Sequence, residues 1–590
     1  MSSLCSCESR PRAHPRRNLP ENRENPSRRE SADNTKKERK NKMKTMKKIF
    51  ALALAMVMLM ALALPVMAAD PTYQIKILGS TSASAESAKD HTYEAYQILK
   101  GTVDPTAAET PGAVVNLGDV HWGDNINYTA LLTKLKGDAF FGPGSDNMFS
   151  SVTTAQQFAD VISATTFTTK YVEKLAHIMN QHLVGDPKAT TDTAVKEPPY
   201  ILTVPAGYYL IKDKKDSLTD MEDKDYTDII LEVSKNVTIN HKGSVPTVSK
   251  EVSELNHTYK EYIDSATATT FYYKLTGTLP SDFDKYEEYA YKFVDTMGKG
   301  IKYLGIEKIY AIYNNGTDLD LTTGAEITHE ESSNKLTVSF PNLKHDNNKH
   351  NFQPGNRIVV VYKAKLNKDA VIAKDGNPNE VYLEYSNDPQ SEGTGTTSSD
   401  KTKVYTFGIQ INKYDGASTT KKLKDVEFHL FRKVLGTGGV LENEYAIITN
   451  DIITDWTKDV NLATKQKTND EGIITIHGLD TGVKYYLEET AAAPSYNPIA
   501  EPIEFQLTPT VDGSGEITGL DVTPSSYYNA TPNSYKNGTD VLGVILNIPN
   551  SQGAVLPTTG GMGTTLFYVL GSILVLGAVV LLVTKKRMTY

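Results

Sequence analysis

Residues 405–413 read Tyr-Thr-Phe-Gly-Ile-Gln-Ile-Asn-Lys. Tyr405, Phe407, Ile409 and Ile411 recur with period two, the spacing that puts side chains on one face of a β-strand. Lys413 falls in the same phase, so this strand carries a lysine on its apolar face. The pattern repeats outward from here. Tyr485 and Leu487 share a face with Glu489; Val248 and Val252 with Lys250; Tyr291, Phe293 and Met297 with Asp295; Val381, Leu383 and Tyr385 with Asn387. An inward charge is costly, and burial drives a lysine toward the neutral amine and a carboxyl toward the protonated acid. A neutral amine is a nucleophile, and a protonated carboxyl can polarise an amide carbonyl and shuttle protons. Lysine, acid and asparagine therefore supply the parts for an amide between Lys and Asn, with ammonia released. Strand-edge polar residues or buried ion pairs would give the same phase pattern.

Around these strands the 590-residue chain is mainly short alternating runs rich in Val, Ile, Thr and Tyr, broken by Gly, Asn, Asp and Pro. The reading is a mainly β protein of tandem immunoglobulin-like sandwiches. Boundaries fall near Gly243-Ser244 and in the Ser/Gly/Thr-rich stretch 391–399, giving blocks 69–244, 245–403 and 404–551. Only the first block carries helical patterns, over 154–162 and 171–182. The formal charge is −9, with 62 basic and 71 acidic residues. Setting aside the 15 basic and 6 acidic residues of positions 1–48 and the three basic residues at 585–587 leaves 44 basic against 65 acidic. Such a body is not a nucleic-acid binder, which would present a net basic surface. Both cysteines, Cys5 and Cys7, lie in the basic head, so neither disulfides nor thiolate chemistry serve the body.

The two ends read as addresses. Lys47 and Lys48 precede the apolar run Ile49 to Leu64 and the small-residue site Val66-Met67-Ala68, which is the layout of a secretory signal peptide over 43–68. Residues 1–42 then read as an extension from a misplaced start, with Met43 or Met46 the true one. At the other end, within 552–590, Leu566 to Val583 is an uncharged apolar run long enough to nearly span a bilayer. Lys585-Lys586-Arg587 follows and stays cytoplasmic by the positive-inside rule. Just upstream, Leu556-Pro557-Thr558-Thr559-Gly560 matches the LPxTG cell-wall sorting signal of Gram-positive surface proteins. That resemblance implies cleavage by a sortase between Thr559 and Gly560, with transfer of the Thr559 carbonyl to an amine.

Further motifs point the same way. Ile411-Asn412-Lys413-Tyr414-Asp415, Tyr485-Tyr486-Leu487-Glu488-Glu489-Thr490 with Ala493-Pro494-Ser495-Tyr496, and Val544-Ile545-Leu546-Asn547 resemble the first strand, E-box and last strand of a collagen-adhesin B-type (CnaB-like) pilin domain. The resemblance implies an isopeptide between Lys413 and Asn547 catalysed by Glu489, with Asn550 the nearby alternative. Val248-Ser249-Lys250-Glu251-Val252, Phe293-Val294-Asp295-Thr296-Met297 and Tyr385-Ser386-Asn387-Asp388-Pro389 resemble the isopeptide-forming second (CnaA-type) domain of fimbrial proteins, implying Lys250, Asp295 and Asn387. These matches cover nearly the whole mature chain, which resembles the backbone pilins of sortase-assembled pili.

That family is implied to be structural rather than an enzyme with turnover. Its partners would be identical subunits, pilin-type and housekeeping sortases, minor pilins, peptidoglycan and a host surface ligand. A shaft subunit also needs a lysine to receive the neighbour's Thr559, placed by the family in a Tyr-Pro-Lys-Asn motif. The matching stretch here, Asn240-His241-Lys242-Gly243-Ser244, lacks its Tyr, Pro and Asn. Strand phase puts Lys242 with the polar residues and the rival Lys235 with Val233, Val237 and Ile239, which favours Lys242 as the accessible acceptor. A monomeric wall-anchored adhesin or minor pilin is the alternative, and a wall-anchored hydrolase a more distant one. No cofactor or metal is expected; the stretch His345-Asp346-Asn347-Asn348-Lys349-His350 reads as a polar hairpin tip.

Overall fold

In a computed structural model of the chain, residues 70–79, 87–108, 115–345, 351–373, 375–390, 393–511, 517–523, 534–537, 540–553 and 562–588 are described. The signal-peptide segment, the sorting motif 556–560 and the hairpin tip 346–350 lie outside them. The fold is mostly β, as the period-two patterning requires. Its strands fall into three successive groups within the compact unit Pro71–Tyr590.

In the first group, strand Thr72–Leu78 runs antiparallel to Tyr200–Pro205 and parallel to Val237–Asn240. A second sheet orders Gly118–Trp122, Tyr93–Thr102, Gly207–Asp213 and Asp228–Val233. Helices Tyr128–Gly137, Ala155–Ile162 and Thr169–Asn180 are inserted between these strands. The second of them starts where Thr154 caps the Gln157 amide and the Gln157 side chain returns to the Thr154 amide, a capping box that satisfies two otherwise orphaned donors. Their apolar faces close over a separate core of Leu131, Leu135, Phe149, Phe158, Leu175 and Met179.

The second group is a sandwich. One sheet orders Asp318–Asp320, Ile301–Ile312, Arg357–Leu366, Thr270–Thr278 and Thr247–Ser253. The facing sheet contains Tyr262–Asp264, Asp400–Tyr405, Asn377–Ser386, Tyr291–Met297, Lys335–Phe340 and Glu326–Glu330. Phe271, Tyr273, Phe293, Val338, Val360, Tyr362 and Leu383 fill the space between them. In the third group, strand Phe407–Asp415 lies between Ile473–Leu479, antiparallel, and Asp540–Asn550, parallel. Strands Glu427–Leu435 and Lys484–Ala491 pair with each other. Tyr405, Phe407, Ile409 and Ile411 are all buried in this core, on the face that the sequence assigned to them.

The third group docks on the second through specific polar contacts. Thr267 donates its hydroxyl to the Ile453 carbonyl at 2.6 Å and its amide to the Gly478 carbonyl at 3.0 Å. Gly478 has φ +98°, and a Cβ there would stand 2.1 Å from Thr267 Oγ1, so glycine is required for this approach.

Candidate functional site: two buried lysine–acid–asparagine clusters

Strand phase carries Lys413 into the third core, where its side chain is wholly buried. Its Nζ donates to Glu489 Oε2 at 2.9 Å and to Asn550 Oδ1. Asn550 Nδ2 in turn donates to Glu489 Oε1 at 2.6 Å, so one carboxylate holds both the amine and the amide. The Phe428 ring lies 5.3 Å from Nζ and walls off solvent. Burial pushes the Lys413 amine down to about 8, against the opposing attraction of Glu489.

Asn547, expected at this place, is not there. From Val544 onward the buried positions on the last strand are Val544, Leu546, Ile548 and Asn550, in one phase, while Asn547 is in the other. Asn547 pairs instead with Asn412, which donates to it at 2.7 Å on the opposite face. Asn550 is the amide that meets Lys413.

The second cluster lies between the two sheets of its sandwich. Lys250 and Asp295 form an ion pair whose side chains have no exposure at all. Tyr362, from the lysine's own sheet, donates to Asp295 Oδ1 at 2.8 Å and accepts from Lys250 Nζ at 3.3 Å. Asn379 Nδ2 donates to the same hydroxyl at 2.6 Å. The Asn379 carbonyl oxygen is buried without a hydrogen-bond partner. Burial lowers the Lys250 amine, opposed by the charge of Asp295. Burial likewise raises the Asp295 carboxyl, opposed by Lys250. Both directions disfavour charge separation in this fully desolvated pair.

Asn387 does not join this cluster. It shares the strand face with Asn379, but at about 3.3 Å per residue it sits roughly 26 Å further along. There its carbonyl accepts from the Tyr226 amide at 2.7 Å, and it lines a cavity of about 400 Å³ between the first two strand groups. Asn379, which the sequence reading passed over, takes its place; the phase Asn379, Val381, Leu383, Tyr385 could have found it.

Both candidate acceptor lysines, Lys242 and Lys235, are exposed. The strand phase that turned Lys235 inward does not hold, because the strand stops at Val233 and resumes only at Val237. The bend between them swings Ser234 inward and Lys235 outward. Among the described residues no group of three or more His, Asp or Glu side chains is arranged to hold a metal ion.

The C-terminal helix Met562–Arg587 is long and apolar enough to cross a membrane from Thr565 onward and ends on Lys585, Lys586 and Arg587. Residues 548–588 match the LPXTG cell wall anchor motif, and residues 407–520 match a prealbumin-like fold domain. Over 403 residues the chain is 23% identical to the trypsin-resistant surface T6 protein of Streptococcus pyogenes serotype M6, covering 59% of this chain and 70% of that one. The chain carries an LPXTG cell-wall anchor. That anchor and the apolar helix place it at the cell wall. Solved pilins with a similar arrangement include the T6 backbone pilin of Streptococcus pyogenes serotype M6, at 16% identity, 82% of this chain, 99% of that chain and a TM-score of 0.46. The full-length major pilin SpaD of Corynebacterium diphtheriae is another, at 14% identity, 82% and 98% coverage and a TM-score of 0.43.

Proposed function

We propose that this chain is a pilin, the shaft subunit of a covalent polymer, and that its two clusters are sites of intramolecular amide formation. The observation that carries the reading is that each cluster gathers an amine and a side-chain amide around one carboxyl inside a dry core. In each, the lysine Nζ in its unprotonated form attacks the Asn Cγ, and the acid beside it carries the amine's proton to the amide nitrogen. The Cγ–Nζ bond forms, the Cγ–Nδ2 bond breaks, and the amide nitrogen leaves as ammonia with the proton from the amine. Glu489 serves the Lys413–Asn550 pair and Asp295, with Tyr362, the Lys250–Asn379 pair.

Polymerisation uses the ends. A sortase breaks the Thr559–Gly560 peptide bond, Gly560 leaves with a proton on its nitrogen, and Lys242 Nζ of the next subunit takes the Thr559 carbonyl. Lys242 is favoured over Lys235 because it is exposed beside a backbone fixed on both sides.

Intact-mass measurement of the secreted protein tests the first half. Two ammonia masses are expected to be missing; no loss would remove the amide-forming reading. For the second half, detergent-resistant ladders on cells should vanish with Lys242→Ala and persist with Lys235→Ala. A monomeric adhesin would give no ladders in the wild type.

A further inference from the structure

A buried polar group lies directly beneath the backbone of Lys242. His241 precedes that lysine, and its ring is buried between His91, at a centroid distance of 4.6 Å, and Tyr93. Tyr93 OH and His241 Nδ1 are 2.8 Å apart. Burial, with smaller contributions from the neighbouring cationic groups, pushes the His241 imidazole down to about 3, so it is neutral at pH 7 and accepts the tyrosine hydroxyl at Nδ1. The His241 amide also donates to the Leu78 carbonyl at 3.0 Å.

On the other side of Lys242, Asp225 Oδ2 accepts from the Ser244 amide at 2.9 Å. Gly243 passes so close to this acid that a Cβ would stand 2.3 Å from Asp225 Oδ1 and 2.4 Å from His241 Nε2. The second strand group contributes too. Ser281 donates its amide to Ser244 Oγ at 3.0 Å, and Lys285, 3.6 Å from Asp282, donates to the Lys242 carbonyl at 3.3 Å. The segment 241–244 is thus tied at its first, second and last residues, while the Lys242 side chain stays exposed.

We propose that His241, Asp225 and Lys285 are positioning residues that hold the Lys242 backbone so that its amine meets the sortase-bound Thr559 carbonyl of the next subunit. The inference rests on Lys242 being the acceptor. It adds that the second strand group, through Lys285, is part of the acceptor, so the exposed lysine of the first group is not sufficient by itself.

The test uses the full chain as acceptor, a pilin-type sortase, and a labelled peptide carrying Leu-Pro-Thr-Thr-Gly as donor. Label at Lys242 is quantified by peptide mapping in the wild type and in Lys285→Ala, Gly243→Ala and Lys285→Arg. Both the Ala substitutions should lower enzymatic labelling of Lys242 by roughly tenfold or more, since small displacements of a reacting group cost that order of rate. Lys285→Arg should restore part of it. Two readouts separate positioning from unfolding. Cleavage of each variant's own Thr559–Gly560 bond should be unchanged, and a small amine-acylating reagent should label Lys242 as in the wild type. Unchanged enzymatic labelling in Lys285→Ala overturns the inference and leaves Lys242 as acceptor. A wild type labelled at Lys235 and not at Lys242 overturns both.

Discussion

The two buried clusters hold the same functional groups in different enclosures. In the third strand group, Glu489 touches the Lys413 amine and the Asn550 amide with its two oxygens, and no hydroxyl stands between them. In the second, the acid is Asp295, one methylene shorter. Asn379 reaches it directly and also donates to Tyr362, whose oxygen contacts amine, acid and amide together. The walls differ as well: Lys413 faces Phe428, whereas Lys250 lies 4.7 Å from the Tyr273 ring and 5.6 Å from that of Tyr362. Both acids thus reach their amide, and in the second cluster a tyrosine hydroxyl adds a further contact.

The comparison can be broken most strongly at the acids. Asp295→Ala and Glu489→Ala should each leave one ammonia unreleased, read by intact mass, with the other cluster unaffected. The Lys413–Asn550 link closes a span of 137 residues. Treated as a chain-entropy restraint like a disulfide, its loss lowers stability by about 5 kcal/mol, measurable by denaturant unfolding.

A smaller effect separates the enclosures by pH. Asn550→Ala leaves Lys413 unlinked, buried and titrating near 8 in the folded state, below its unfolded value. Between pH 8 and about 10.5 the unfolded chain binds more protons, so stability rises with pH across that window, by up to roughly 3 kcal/mol. Asn379→Ala should show the same direction for Lys250, which is also lowered. Flat pH profiles for both variants would mean that the amines are not desolvated as described.

Tyr362→Phe should slow amide formation in the second cluster roughly tenfold, the worth of one hydrogen bond to a charged group, followed by mass during cell-free synthesis. The Lys413–Asn550 pair, which Tyr362 does not touch, should form at the wild-type rate. The smallest effect is expected for Asn547→Ala and Asn387→Ala, both of which should keep the full two-ammonia loss. If either variant loses a link, the pairing assigned to Asn550 or Asn379 is wrong.

The β character and both lysines and acids were legible because a strand repeats every two residues and each lies among apolar partners of its own phase. The asparagines were harder. On Val544-Ile545-Leu546-Asn547-Ile548 the apolar residues occupy both phases, so periodicity does not say which face is inside. Burial in the folded chain does: Ile545 is only half-buried, whereas Leu546 and Ile548 are fully so. Asn379 hides in Asn377-Pro378-Asn379, whose composition reads as a turn. It is nevertheless strand, with Pro378 at the exposed position between two buried asparagines. Lys235 shows the converse error, a phase extended through a bend that hydrogen bonding interrupts.

The positions of Asn379 and Asn550 along their strands also set how a pulled shaft carries load. In a shaft linked as proposed, force entering at Lys242 would skip the first strand group and reach Lys250 within a few residues. In the third group it crosses from Lys413 to Asn550 and leaves at Ser551, because those strands lie side by side and parallel. Nothing can lengthen there. In the second group the bridge lands on Asn379, which faces Thr402 across an antiparallel pair. The main chain from Asn379 to Thr402 therefore stays on the load path without a bridge across it, its two ends held together only by strand pairing. Fully drawn out, that segment would add roughly 70 Å to each subunit before any covalent bond takes the strain.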